Sequence, residues 1–268
     1  MAKRKILMAW VAVAAALGVI TSPGPGLSSE LPGAVELLRV PNEGLQPQVA
    51  VDAKGTLHLV YFKGDPGHGD IFYVRSTDEG KTFSSPLRVN SQSESAVATG
   101  TIRGAQIALG KGGRVHVAWN GSGTAFPKGP GNPQNPRGSS YDSAPMLYAR
   151  MNDSGTAFEA QRNLMTRTFE LDGGGSVAAD SRGNVYVAWH AGTQGAPEGE
   201  VGRNVWIASS RDEGRTFEPE RAVNPMPTGA CGCCGLRIFA ASDGTVYLLY
   251  RSATNSIHRD VHMLVSRD

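Results

Sequence analysis

The sequence predicts an all-β protein, a β-propeller of four-stranded antiparallel blades, on three observations. An octapeptide with the chemistry of a tight turn, Ser76-Thr-Asp-Glu-Gly-Lys-Thr-Phe83, recurs as Ser210-Arg-Asp-Glu-Gly-Arg-Thr-Phe217 with six of eight positions identical. Four strand-like segments that close on an aromatic residue begin at glycines 58, 70 and 61 residues apart. Glycine supplies 34 of 268 residues, nearly twice its ordinary share of roughly 7 %, which suits a turn-dense chain. A self-similar period of about 60 residues with four strands in each belongs to propeller blades, whereas a sandwich carries no such period.

At the N-terminus, Lys3, Arg4 and Lys5 precede an uninterrupted apolar run of 15 residues, Ile6 to Ile20. The run falls short of the roughly 18–20 residues that cross a bilayer and has the order of an export signal. The breaker-rich stretch Ser22-Pro-Gly-Pro-Gly26 follows. Residues 1–26 are therefore expected to be a signal peptide and linker, and 27–268 an incomplete propeller. The protein is expected to be exported, periplasmic or secreted, with no membrane association beyond the signal segment. Without the three leading basic residues the chain holds 26 − 3 = 23 basic against 24 acidic residues. That balance leaves no electrostatic footprint for nucleic acid.

Val35-Glu-Leu-Leu-Arg-Val40 reads as a lone strand that would complete another blade. The second strands of four units are Gly55–Tyr61, Gly113–Trp119, Gly183–Trp189 and Gly244–Tyr250. Third strands follow at Ile71–Val74, Met146–Ala149, Val205–Ala208 and Val261–Leu264, and fourth strands at segments such as 86–90 and 220–224. Apolar residues stand at successive positions, as they do where both faces of a sheet are covered. Between third and fourth strands come the octapeptides. Their Ser and Asp side chains can bond nearby backbone N–H groups, and their glycine can take positive φ. Met151-Asn-Asp-Ser-Gly-Thr-Ala-Phe158 is a blurred copy, and Ser266-Arg-Asp268 begins a fourth. About three and a half blades are thus present, and the chain is expected to continue beyond Asp268.

The octapeptide pattern Ser-x-Asp-x-Gly-x-Thr-Phe, carried by Ser76, Asp78, Gly80, Thr82 and Phe83 and again by Ser210, Asp212, Gly214, Thr216 and Phe217, resembles the Asp-box or BNR repeat of the sialidase (neuraminidase) superfamily. The resemblance covers about residues 35–268. It implies a six-bladed propeller with the boxes on the face away from the active site, and glycoside hydrolysis of sialylated or related acidic glycans. It further implies an arginine triad for the substrate carboxylate, a Tyr–Glu nucleophile pair and an Asp acid/base. When the chain is aligned on Gly55, Pro47 falls on the proline of the family's first arginine motif and Leu45 on its arginine. Arg103 holds the same place in the second blade.

Loop lengths separate two faces. The segments after second strands (62–70, 120–145, 190–204, 251–260) and between blades (88–105, 163–175, 223–236) are long and project together. Sites commonly occupy such loops on a rigid scaffold. Arg103, Arg251, Arg259 and Asp65 lie there as candidate catalytic residues, and solvated loop charges are the plainer reading. A glycan or protein ligand is the expected partner. His58, His116, Tyr186 and Tyr247 share one strand position and read as interior residues. All three cysteines fall in Gly229-Ala-Cys-Gly-Cys-Cys-Gly235. Three cysteines cannot all pair internally, so the alternatives are one disulfide with a spare thiol, a soft-metal thiolate site, or no role. If a metal binds, Cu(I) or Zn(II) fits Cys231, Cys233 and Cys234, with His190 or His258 as further ligands. The second functional reading is then a non-catalytic propeller that binds a partner or soft metal through this face.

Overall fold

The computed structural model describes residues 35–100, 102–133, 143–255 and 257–267. The expected signal segment, residues 1–26, lies outside the described residues. Among those residues no helix is long and apolar enough to cross a membrane. The chain divides into two compact units, Met1–Leu37 and Leu38–Asp268. Of the first, residues 35–37 are described, exposed and without regular structure.

The second unit is built of sheets. The first sheet comprises β1 (Leu45–Val51), β2 (Leu57–Asp65), β3 (His68–Ser76) and β4 (Leu87–Arg88). The second holds β5 (Gln106–Leu109), β6 (Val115–Asn120), β7 (Met146–Arg150) and β8 (Arg162–Asn163). The third holds β9 (Thr168–Ala179), β10 (Val185–Thr193), β11 (Asn204–Ser210) and β12 (Arg221–Ala222). The fourth has β13 (Arg237–Ala240), β14 (Val246–Arg251) and β15 (Val261–Ser266). Within each sheet the strands pair antiparallel in chain order. The first strands of all four sheets, through Val49–Val51, Ile107–Leu109, Val177–Ala179 and Ile238–Ala240, line one central channel of about 400 Å³. Sheets radiating from such a channel make a β-propeller, as predicted, and among the described residues its ring is open.

Alternation along each strand explains the packing. Val115, Val117 and Trp119 of β6 face the first sheet and bury against Val60, Phe62, Ile71 and Tyr73. Ala118, one position out of phase, turns to the third sheet with Met146 and Tyr148, against Val185, Val187 and Trp189. A third cluster joins Ala188, Val205 and Ile207 to Leu236, Ile238, Leu248 and Tyr250. Each large apolar side chain fully buried in these interfaces contributes about 1.5–3 kcal/mol. Among the described residues the fourth sheet has no such cover on its other side, where Phe239, Val261 and Met263 are 62, 71 and 60 % exposed, and the first sheet likewise exposes Val49 and Val51.

Both octapeptide turns have the same hydrogen bonds. Ser76 Oγ donates to Asp78 Oδ1 (2.7 Å) and accepts from Gly80 N (2.8 Å), while Asp78 accepts from Thr82 N (2.9 Å) and Thr82 Oγ1 (2.6 Å). Ser210, Asp212, Gly214 and Thr216 repeat this within 0.1 Å. Gly214 must be glycine: its φ is +76°, and a Cβ there would lie 1.9 Å from the Tyr148 hydroxyl. Phe217 packs edge-on against Tyr148 of the preceding sheet, as Phe158 does against Tyr73. The blurred copy folds one residue out of register with its predicted alignment. Asn152 Oδ1, not Asp153, accepts from Thr156 N (3.0 Å), which frees Asp153 to meet Arg114 at 2.6 Å.

Three further expectations are corrected. Residues 35–40 form no strand, because a strand exists only through ladder bonds to a neighbour. The segment 62–70 is not a loop, since β2 and β3 pair as far as Asp65 with His68 across the turn Pro66-Gly67. Segments 163–175 and 190–204 are likewise shortened, because β9 starts at Thr168 and β10 runs on to Thr193. The interior histidines are as expected. His58 and His116 sit 2.7 and 2.6 Å from the hydroxyls of Tyr73 and Tyr148. Burial presses His116 down to about 3, which keeps it neutral.

Candidate functional site

The antiparallel order places the β2–β3, β6–β7, β10–β11 and β14–β15 connections, and every crossover between sheets, at one end of the propeller. The octapeptide turns lie at the other. On the first end opens a cavity of about 440 Å³ lined by Val97, Thr99, Arg103, Asn120, Glu170, Leu171, Asp172 and Arg203, among others. This volume is in the range of small-molecule sites.

Its centre is one carboxylate held between two guanidiniums. Asp172 Oδ1 accepts from Arg103 Nη2 at 2.6 Å, and Asp172 Oδ2 lies 2.9 Å from Arg203 Nη1. Asp172 Oδ1 also accepts from the Gly173 N–H at 2.7 Å. Burial would raise the Asp172 pKa, but Arg203, the Gly173 N–H and Arg103 outweigh it and hold it below the ordinary carboxylate value. The group is therefore a fixed anion that positions two cations from different blades. Each guanidinium has five donors, so donors remain for a ligand.

Glu170 stands two residues before Asp172 with a left-handed φ of 54°. Strain of about 1–3 kcal/mol at a non-glycine residue persists only where its surroundings over-determine it. Asn132 Nδ2 donates to Glu170 Oε1 at 2.6 Å. Asn120, also in the lining, is 3 % exposed, and its Nδ2 donates to Gly173 O at 2.5 Å. Its Oδ1 has no hydrogen-bond partner among the described residues.

Glycines shape the neck of the site. A Cβ on Gly174 would come 1.8 Å from the carbonyl oxygen of Ile102, one residue before Arg103. The β9–β10 ladder shifts register on both sides of His190. His190 is fully buried, and burial lowers its pKa to about 4. Neither of its ring nitrogens has a partner of hydrogen-bond geometry among the described residues.

Beside this cavity sits the cysteine loop. Its backbone is fastened from two neighbours: Gly232 N donates to Glu200 Oε1 (2.9 Å), and Cys231 N donates to Arg251 O (2.9 Å). Glu200 in turn pairs with Arg259 at 2.6 Å. The three sulfurs form a triangle, with Cys231–Cys233 at 3.1 Å, Cys231–Cys234 at 3.5 Å and Cys233–Cys234 at 3.8 Å. This cluster could hold a metal ion. Arg251 Nη1 donates to Cys234 Sγ at 3.2 Å and lowers its thiol pKa, whereas burial pushes Cys231 up to about 11.

The structure thus brings Arg103 into the cavity and sets Arg251 and Arg259 beside the cysteines. Asp65 is a turn residue that accepts from Gly67 N at 2.8 Å, with a side chain 62 % exposed. His190 does not join the three sulfurs, because its strand buries it beneath the loop, and His258 is exposed on the β14–β15 connection. Sequence reasoning missed Arg203, Glu170, Asp172 and Asn120. The run Asp172-Gly-Gly-Gly175 was their one local signal, because consecutive glycines in a strand mark close backbone approach.

No protein-family model matches the chain, and no curated protein matches it. Solved structures do. The Hadza microbial sialidase Hz136 superposes with a TM-score of 0.54 at 16 % identity, over 84 % of this chain and 45 % of that one. An ulvan lyase of polysaccharide lyase family PL25, bound to -[GlcA(1-4)Rha3S]-, gives 0.50 at 16 %, over 83 % and 52 %. The GH93 α-L-arabinofuranosidase of Fusarium graminearum gives 0.50 at 13 %, over 84 % and 63 %. The likeness is one of fold, a propeller of the sialidase kind, and the chain spans less than two thirds of each of these proteins.

Proposed function

We propose that the protein is a sialidase-like glycoside hydrolase that takes a carboxylated sugar of an acidic glycan in the cavity around Asp172. The observation that carries this reading is the pair of guanidiniums, Arg103 and Arg203, fixed by Asp172 in an open polar cavity. Asp172 orients them, and their remaining N–H groups meet the sugar carboxylate through charge-assisted bonds. Asn120 Oδ1, buried and without a partner among the described residues, is the acceptor we assign to a sugar hydroxyl that reaches it. Glu170 is the lining carboxylate that no arginine pairs with among the described residues, and we assign it proton transfer to a leaving group. The glucuronate-containing fragment bound by the ulvan lyase supports a carboxylated ligand.

Calorimetric titration with glucuronate, N-acetylneuraminate and galactose tests the reading. Both acids are expected to bind more tightly than galactose. Arg103→Ala and Arg203→Ala are each expected to weaken acid binding by about 10- to 100-fold, the value of one charge-assisted hydrogen bond. Equal binding of galactose, or an Arg203→Ala variant with unchanged affinity for both acids, refutes the assignment.

A further inference from the structure

We propose that Cys231, Cys233 and Cys234 form a three-sulfur binding site for Cu(I), separate from the sugar cavity. Three sulfurs at about 2.3 Å from one centre stand about 3.8 Å apart in a tetrahedral arrangement and about 4.0 Å apart in a planar one. The triangle of 3.1, 3.5 and 3.8 Å needs only modest opening to reach either. A disulfide, by contrast, requires about 2.05 Å and uses two of the three sulfurs. Cys233 and Cys234 are adjacent, so bridging them closes a strained eight-membered ring. A bridge from Cys231 to either closes a loop too short to stabilise the fold much on chain-entropy grounds.

Donor count separates the two thiophilic ions. Zn(II) in a closed site takes four ligands. Among the described residues no His, Asp, Glu or further Cys joins the three sulfurs. Cu(I) is satisfied by soft sulfur and accepts three ligands. The surroundings suit an anionic cluster, since three thiolates around Cu(I) carry a net charge of −2. Arg251 stands 3.2 Å from Cys234 Sγ, and Glu200, anchored by Arg259, holds the loop backbone. Cys231 is buried and Cys233 exposed, so the metal enters from solvent toward a buried inner ligand. Binding involves no electron transfer: Cu(I) adds to three sulfurs, and each thiol releases its proton.

The test uses the full chain, reduced and stripped of metal under anaerobic conditions. It is titrated with Cu(I) against a chromophoric Cu(I) chelator, and X-ray absorption counts the sulfur neighbours. One equivalent with three sulfurs is expected. Cys233→Ser/Cys234→Ser is expected to lose affinity by more than the roughly 100-fold that removal of a supporting hydrogen-bond partner costs. Both changes lie at the solvent-facing side of the loop, so the metal-free variant is expected to melt with the parent. A melting temperature that rises with Cu(I) in the parent alone confirms that the loop is the site. Loss of all Cu(I) to the chelator, two sulfurs around the metal, or one tight equivalent of Zn(II) that Cu(I) does not displace each overturns the proposal. So does isolation as a disulfide that resists mild reductant and leaves Cu(I) unbound. Sugar titrations on metal-free protein are independent of these outcomes.

Discussion

Glu220 offers the most discriminating test of how the cavity is held. It is fully buried, and its carboxylate caps the crossover into β9. Oε1 accepts from Thr166 N (2.8 Å), Arg167 N (2.8 Å), Thr168 N (3.1 Å) and Thr168 Oγ1 (3.1 Å), while Oε2 accepts from Thr166 Oγ1 (2.5 Å). Burial would raise its pKa, but these donors prevail and lower it. Glu220→Ala strands three backbone N–H groups at about 1–3 kcal/mol each, and water entering the vacated space recovers part of that. A net loss of about 3–5 kcal/mol is expected, a large share of the roughly 5–15 kcal/mol that a domain possesses. Glu220→Gln is expected to cost far less. Its amide oxygen can take the place of Oε1, and the Thr166 hydroxyl can turn to accept from the new amide. Urea unfolding followed by tryptophan fluorescence gives both numbers, and the alanine variant is expected to melt about 10 °C lower. The reasoning fails if alanine costs under 1 kcal/mol, or if glutamine is as damaging as alanine. Because Thr168 lies two residues before Glu170, the alanine variant is also expected to weaken glucuronate binding.

Two more outcomes follow from the turns and the neck. Asp78 is lowered to about 2, chiefly by Thr82, and Asp212 to about 2, where Thr216 and Ser210 outweigh burial. A carboxylate depressed in the folded state stabilises it above the ordinary value of 3.8, and that stability is lost as pH falls toward 2. Asp78→Asn/Asp212→Asn is therefore expected to flatten the fall in urea midpoint between about pH 4 and 2, and an unchanged slope refutes it. Gly174→Ala is expected to cost about 1–3 kcal/mol and to weaken sugar binding, since backbone must move on one side of the neck. Gly131→Ala, with open space around its Cβ position, is the control and is expected to be neutral within about 0.5 kcal/mol. Equal effects of the two substitutions contradict the packing described for β9.

The fold was legible because its determinants are local and repeated. Glycine spacing, aromatic strand ends and the octapeptide turns each report on a few neighbouring residues, and each sheet lies where they point. Residues 35–40 misled because a short run rich in Val and Leu shows that a segment can pair, not that a partner strand is beside it. The cavity was far less legible. Arg103 and Asp172 are 69 residues apart in the chain and meet only because successive blades bring their crossovers to the same end. Asp172 lay in a segment read as loop, and nothing in the residues around Arg203 separates it from an ordinary surface arginine. The cysteine cluster was visible because its three members are adjacent in sequence, whereas burial of His190 under the loop depends on the strand bulges around it.

The fourth sheet is buttressed on one side, through Leu236, Ile238, Leu248 and Tyr250, while Phe239, Val261 and Met263 face outward. In a stack of blades, cohesion passes from each sheet to the next, so among the described residues the two end sheets, the first and the fourth, open at lower free energy than the two between them. The cysteine loop spans the joint between the third sheet and the end sheet, with Gly232 N bonded to Glu200 and Cys231 N to Arg251 O at the end of β14. The Arg103–Asp172–Arg203 clamp spans the second and third sheets, which are covered on both sides. If both proposed sites bind as argued, mild denaturant is therefore expected to part them. The sulfur triangle is expected to splay, and to release any Cu(I) it holds, at denaturant concentrations where the guanidinium pair still binds glucuronate.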